Sequence, residues 1–139
     1  MDYKKIINAA IEAKNNAYVP YSHFRVGAAL LTEEGQIFTG CNVENAAFSP
    51  TICAERTAVV KAVSEGYRNF SAIAVTGDNG DYLTPCGVCR QVLAEFCDLE
   101  QFVVILANSE NDYKEMKLAE LLPGSFGKEN LERNSADSK

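Results

Sequence analysis

Two short stretches restrict this chain more than any others: Thr51-Ile52-Cys53-Ala54-Glu55-Arg56 and Pro85-Cys86-Gly87-Val88-Cys89-Arg90. The first offers a thiol and, two positions on, a carboxylate. The second offers a C-x-x-C pair directly after a proline. Each stands at the head of a helical pattern, and three cysteines make three zinc ligands. A zinc with three protein ligands keeps a fourth position for water, which separates a catalytic site from a closed four-ligand one. For the thiols to share one ion, the two helix starts must converge. In parallel βαβ architecture they do, because helices that follow neighbouring strands begin at the same sheet edge.

The rest of the chain supplies that architecture. Ile6, Ile7, Ala10, Ile11 and Lys14 recur at helical spacing and predict a first helix over 3–17 that lays an Ile/Ala face on the core. Val26 to Thr32 and Gln36 to Cys41 read as strands joined through Gly35 in a tight antiparallel hairpin. A helix over 53–65 closes at Gly66, a buried strand covers 70–76, a second helix covers 87–97 and another buried strand covers 102–107. Residues 113–117 are a candidate last strand before a helical turn at 118–122. The order helix, strand, helix, strand makes a parallel sheet covered by helices, to which the opening hairpin adds antiparallel strands.

With 139 residues the chain fits one domain and can bury roughly two-thirds of its unfolded surface without disulfides. Its mean hydropathy is -0.13, and it has no apolar run near the roughly 20 residues of a membrane span. The start, Met1-Asp2-Tyr3-Lys4-Lys5, leads into an amphipathic pattern rather than a secretory leader, so the protein is read as cytoplasmic. A net charge of -6 and no cluster of basic residues speak against nucleic acid as a partner and favour small uncharged or cationic substrates. Five cysteines is an odd count that argues against a disulfide framework. Cys41 and Cys97 sit in apolar patterns and read as small buried hydrophobes.

The residues beside the ligands carry the chemistry. Glu55 lies near the metal without being needed to bind it, and can act as a general acid and base. Zinc on three thiolates is a weak Lewis acid, so its negative charge needs an offset. Arg56, one helical turn past Cys53, can donate to the sulfurs, and Arg90 beside Cys89 is a second candidate for that task. A C-x-x-C pair alone is ambiguous, because redox enzymes and structural zinc sites share it; the added C-x-E favours catalytic zinc. His23, the only histidine, is read as structural or surface.

Cys53-Ala54-Glu55 followed by Pro85-Cys86-x-x-Cys89 resembles the signature of zinc-dependent nucleoside and nucleobase deaminases. Phe24-Arg25-Val26-Gly27-Ala28-Ala29, Gly40-Cys41-Asn42-Val43-Glu44-Asn45-Ala46 and Leu121-Leu122-Pro123-Gly124-Ser125-Phe126 add a closer resemblance to the small tetrameric cytidine deaminases, extending to about Phe126. The resemblance implies a three-layer α/β/α fold with a mixed five-stranded sheet, its antiparallel opening hairpin followed by parallel strands. A single domain is expected over 1–127, and residues 128–139, outside the resemblance, are too polar to pack and read as a flexible tail. The resemblance also implies hydrolysis of cytidine and 2′-deoxycytidine to the uridines and ammonia, with one zinc per subunit on Cys53, Cys86 and Cys89. Glu55 would be the proton shuttle. Phe24 would stack on the base, Asn42 and Glu44 would bind the ribose 3′-hydroxyl, and the Ala54 backbone would touch the base. Phe126 would reach a neighbouring subunit's site in a homotetramer. Phe48 stands where the family often has tyrosine, and Ser125 where it often has alanine.

Three other readings stay open from the sequence. A zinc-binding interaction module would hold metal without turnover. A thiol oxidoreductase would use Cys86 and Cys89 and need neither Cys53 nor Glu55. A deaminase of the same fold would take another cytosine nucleoside, such as blasticidin S.

Overall fold

The computed structural model describes residues 2–131. Helix α1 (Lys4–Ala13) buries Ile6, Ile7 and Ala10. It is shorter than the predicted 3–17: the chain tightens into a 3-10 turn at Lys14–Asn16. There Asn15 and Asn16, whose side chains compete with the backbone for hydrogen bonds, favour leaving the helix. Strands β1 (Val26–Thr32) and β2 (Ile37–Cys41) form the expected hairpin, with Gly35 at a φ of 96° in its turn. Then follow α2 (Ala54–Ser64), β3 (Phe70–Gly77), α3 (Gly87–Phe96), β4 (Val103–Ser109), β5 (Asp112–Lys117) and the short α4 (Leu118–Leu121).

The five strands form one sheet in the order β2-β1-β3-β4-β5. β1 is antiparallel to both β2 and β3, β3 and β4 are parallel, and β5 returns antiparallel to β4. The mixed five-stranded sheet matches the sequence expectation; the parallel part is the β3–β4 pair. β5 folds back because only Glu110 and Asn111 separate it from β4, too few for a crossover.

Side chains alternate between two faces. On one, α1 packs Ile6, Ile7 and Ala10 against Ala29, Ala72, Ala74 and Ile105. On the other, α2, α3 and α4 cover Leu30, Ile73, Val75 and Val104. These are the three layers. Small residues set how closely helix and sheet approach: a Cβ on Gly40 of β2 would lie 2.3 Å from the carbonyl oxygen of Ala54.

One consequence fixes the functional edge. β2 and β3 are both antiparallel to β1, so their ends, Cys41 and Gly77, lie beside the start of β1 at Val26. The chain enters α2 and α3 from that edge, and Phe24 precedes β1 there. Residues 128–131 make a helical turn; the remainder of the predicted tail, 132–139, lies outside the described residues.

Candidate active site

Cys53 and Cys86 are the N-cap residues of α2 and α3, both in extended backbone geometry. Cys89 sits in the first turn of α3, where its backbone N–H donates to Sγ of Cys86 at 3.5 Å. The sulfurs of Cys53 and Cys86 are 3.7 Å apart, those of Cys86 and Cys89 are 3.3 Å apart, and all three lie within 4.8 Å of one another. Thiolates arranged tetrahedrally at about 2.3 Å from a zinc stand about 3.8 Å from each other, so this trio fits that ion with little movement. Its soft donors suit that metal. No other group of three potential ligands was found among the described residues.

The electrostatics are those of a cation site. Hydrogen bonding from Cys89, opposed by burial and assisted by Arg56 and Cys86, pulls the Cys53 thiol down to about 5. Cys89, which donates to Cys53 and is itself buried, is pushed up. The trio thus holds negative charge before any metal arrives, and a bound dication would draw off the remaining protons. Arg56 Nη2 donates to Cys53 Sγ at 3.5 Å and to the Thr51 carbonyl at 3.4 Å, which places its charge against the ligand set. Its Nε is buried without a partner.

Arg90 does not share that task. Its Nε donates to the Pro85 carbonyl and its Nη1 to the Leu121 carbonyl, both at 2.7 Å. One residue past Cys89 is about a quarter-turn around the helix, which aims Arg90 away from the sulfurs and onto the C-terminal segment. His23 is exposed and outside the cysteine cluster. Cys97 is buried and its thiol pushed up by desolvation, as expected of a core hydrophobe. Cys41 is half-buried and likewise apart from the trio.

Glu55 is only 4 % exposed. Burial, more than any neighbour, raises its carboxyl to about 7. A group poised there can both accept and give a proton at neutral pH. It lines a cleft of about 200 Å³ together with Cys53, Cys86 and Ala54.

Of the predicted contact residues, Phe24, Asn42 and Ala54 line this cleft. Glu44 lies next to it, in a depression shared with Tyr21, Ser22 and Phe48. Its Oε1 already accepts the backbone N–H groups of Tyr21 and Ser22, each at 3.1 Å. Phe48 has a φ of 63° and meets Tyr21 edge to face at 6.3 Å between ring centroids. Phe126 is 57 % exposed and absent from the cleft of its own chain; Gln91 Nε2 holds its carbonyl at 2.8 Å. Sequence reading missed Leu83 and Thr84, which form another wall. Their place just before Pro85 and Cys86 was the available signal, since residues entering a ligand-bearing helix start share its sheet edge.

The cytidine and deoxycytidylate deaminase zinc-binding region, as a family model, matches residues 1–106. The chain is 54% identical over 131 residues to a cytidine deaminase of Sporosarcina psychrophila, covering 94% of this chain and 96% of that protein. It is 50% identical to one of Halalkalibacterium halodurans, covering 94% and 98% of the two. A crystal structure of cytidine deaminase from Burkholderia pseudomallei superposes with a TM-score of 0.85 at 45% identity, over 91% of this chain and 100% of that one. The family model spans most of the chain and these relatives match it along nearly its whole length, so the chain belongs to the cytidine and deoxycytidylate deaminase family.

Proposed function

We propose that this protein hydrolyses cytidine and 2′-deoxycytidine to uridine and 2′-deoxyuridine, releasing ammonia, as a pyrimidine-salvage enzyme dependent on one zinc per chain. The observation that carries this reading is a carboxylate buried beside a three-thiol metal site, at the foot of a cleft walled by an aromatic ring.

Cys53, Cys86 and Cys89 would hold the ion, which when bound would supply an acidified water and a positive charge to the site. The other steps belong to the chain. Phe24 and Leu83 provide apolar faces for a flat, neutral base, and they keep bulk water from it. Glu55 takes a proton from the attacking water and delivers it to N3 of the ring, which makes C4 electrophilic. The water oxygen adds to C4. Glu55 then moves the second proton to the exocyclic nitrogen, the C4–N bond breaks, and ammonia departs. One carboxyl serves both transfers because burial holds it near neutrality rather than in the usual carboxylate range. Arg56 keeps three thiolates and a developing negative charge compatible in one site.

Asn42 and Glu44 are read as ribose contacts. Asn42 Oδ1 accepts from Val26 N–H and its Nδ2 donates to the Phe24 carbonyl, both at 2.9 Å, which leaves one N–H and one lone pair for a sugar hydroxyl. The finer reading adds a homotetramer in which Phe126 of one subunit closes a neighbour's cleft; its support is the exposure of Phe126, Phe48 and Val88. We read residues 1–127 as one domain. Free cysteines throughout fit a reducing compartment such as the cytoplasm.

The test is product analysis on purified, zinc-loaded protein given cytidine, deoxycytidine, cytosine and blasticidin S separately. Equal amounts of ammonia and uridine from cytidine, and of ammonia and 2′-deoxyuridine from deoxycytidine, are expected. Turnover of blasticidin S alone would replace the substrate, and no product from any of the four would leave a zinc-binding module.

A further inference from the structure

The ring of Phe24 rests on a segment whose backbone is tied down on two sides. From one side Asn42 brackets it, through the Phe24 carbonyl and the Val26 N–H. From the other, Asp78 accepts the Arg25 backbone N–H at 2.9 Å and grips the Arg25 guanidinium with both oxygens, Nε to Oδ2 and Nη2 to Oδ1, each at 3.0 Å. Lys14 Nζ stands 3.2 Å from Asp78 Oδ1 and 3.3 Å from the Gly77 carbonyl. The β1–β3 ladder ends at Val26 opposite Gly77, so the Asp78–Arg25 contact continues the pairing one residue past the sheet. Gly77 itself carries the ring: a Cβ there would lie 3.0 Å from Phe24 Cζ and 3.1 Å from Leu83 Cδ2.

We propose that Asp78, clamped between Arg25 and Lys14, is a positioning residue that sets the Phe24 ring and the Leu83 wall for the pyrimidine base. It lines neither the cleft nor the thiol cluster, and it acts through the backbone of Arg25, just before β1, and of Gly77, at the end of β3. A bidentate arginine–carboxylate pair fixes orientation as well as distance, and its loss leaves the Phe24–Arg25 peptide unit held by Asn42 alone. The inference rests on the reading of the cleft as a cytosine-nucleoside site.

Asp78→Asn in the zinc-loaded full chain should raise KM for cytidine about tenfold while kcat stays within about twofold, because the ring's contact is made alike in ground and transition states. Zinc content should stay at that of the wild type. In a Phe24→Leu background the same change should shift KM by less than about twofold, since the ring through which Asp78 acts is gone. Amide hydrogen exchange at Arg25 should speed up in Asp78→Asn while exchange at Ile73, in the middle of β3, is unchanged; this readout needs no substrate. A protein that protects Arg25 yet leaves cytidine intact would therefore sink the reaction and not the clamp. Should Asp78→Asn fail to fold, Arg25→Gln removes the side-chain half of the clamp and should raise KM in the same way, by less. An unchanged KM despite lost Arg25 protection, or a KM effect that simply adds to that of Phe24→Leu, would overturn the proposal.

Discussion

Nη2 of Arg56 lies 3.5 Å from Sγ of Cys53, one turn back along the same helix. Hydrogen bonding to Cys53, ahead of any other cause, raises the arginine's own affinity for its proton. The pair thus binds an offsetting charge to a thiol whose pKa is lowered. Replacing Arg56 with Gln should keep the fold and lower kcat or zinc affinity by about 10- to 100-fold, the usual cost of losing a partner just outside a ligand set. Chelator competition and steady-state kinetics on the same preparation read both.

Glu55 is separated from the ligands by chemistry rather than distance. Glu55→Gln keeps the shape and removes the transferable proton. Zinc content should stay at wild-type level while kcat falls about 10³-fold or more, because two proton transfers lose their catalyst. Wild-type turnover in this variant would take Glu55 out of the mechanism.

The approach of α2 to the sheet depends on a bare backbone at Gly40. A methyl group there would meet the Ala54 carbonyl oxygen at 2.3 Å and the Ala58 nitrogen at 2.6 Å. Both are backbone atoms at the start of the helix that carries Cys53 and Glu55, and neither can rotate away. Gly40→Ala should cost about 2–3 kcal/mol in urea unfolding. It should also weaken zinc retention, because the helix that moves holds one ligand.

Acid sensitivity follows from Asp78. Its carboxyl is held well below the usual carboxylate range, first by the hydrogen bond from Arg25 and then by its backbone N–H and Lys14, against some burial. A folded-state value below the unfolded one means that stability is present above the unfolded pKa, near pH 4, and is lost as pH falls through the folded value. The stability difference between wild type and Asp78→Asn should therefore be flat from pH 5 to 8 and shrink below about pH 4. Partial exposure and screening keep its size small.

Local pattern carried much of this fold. Ile6, Ile7 and Ala10 announced the face of α1, two strand-like runs joined through Gly35 announced the β1–β2 hairpin, and the cysteines at two helix starts required the edge where those helices begin. What stayed hidden depended on distant partners. Arg25 and Asp78 are 53 positions apart and meet only because β1 and β3 are neighbours in the sheet. Arg90 looked like a neighbour of the sulfurs by sequence, but rotation along α3 sends it to Leu121. The direction of β5 was set by the two-residue turn before it. The resemblance marked Glu44 as a sugar contact, but nothing in the sequence showed that its carboxylate accepts the backbone N–H groups of Tyr21 and Ser22.

The most direct test follows the loss of cytidine's ultraviolet absorbance in samples whose zinc content is measured and varied, from chelated to fully reloaded protein. Turnover should rise in proportion to zinc and level off at one ion per chain. Fully loaded protein that leaves cytidine unchanged, or turnover that persists after zinc is removed, would contradict the account.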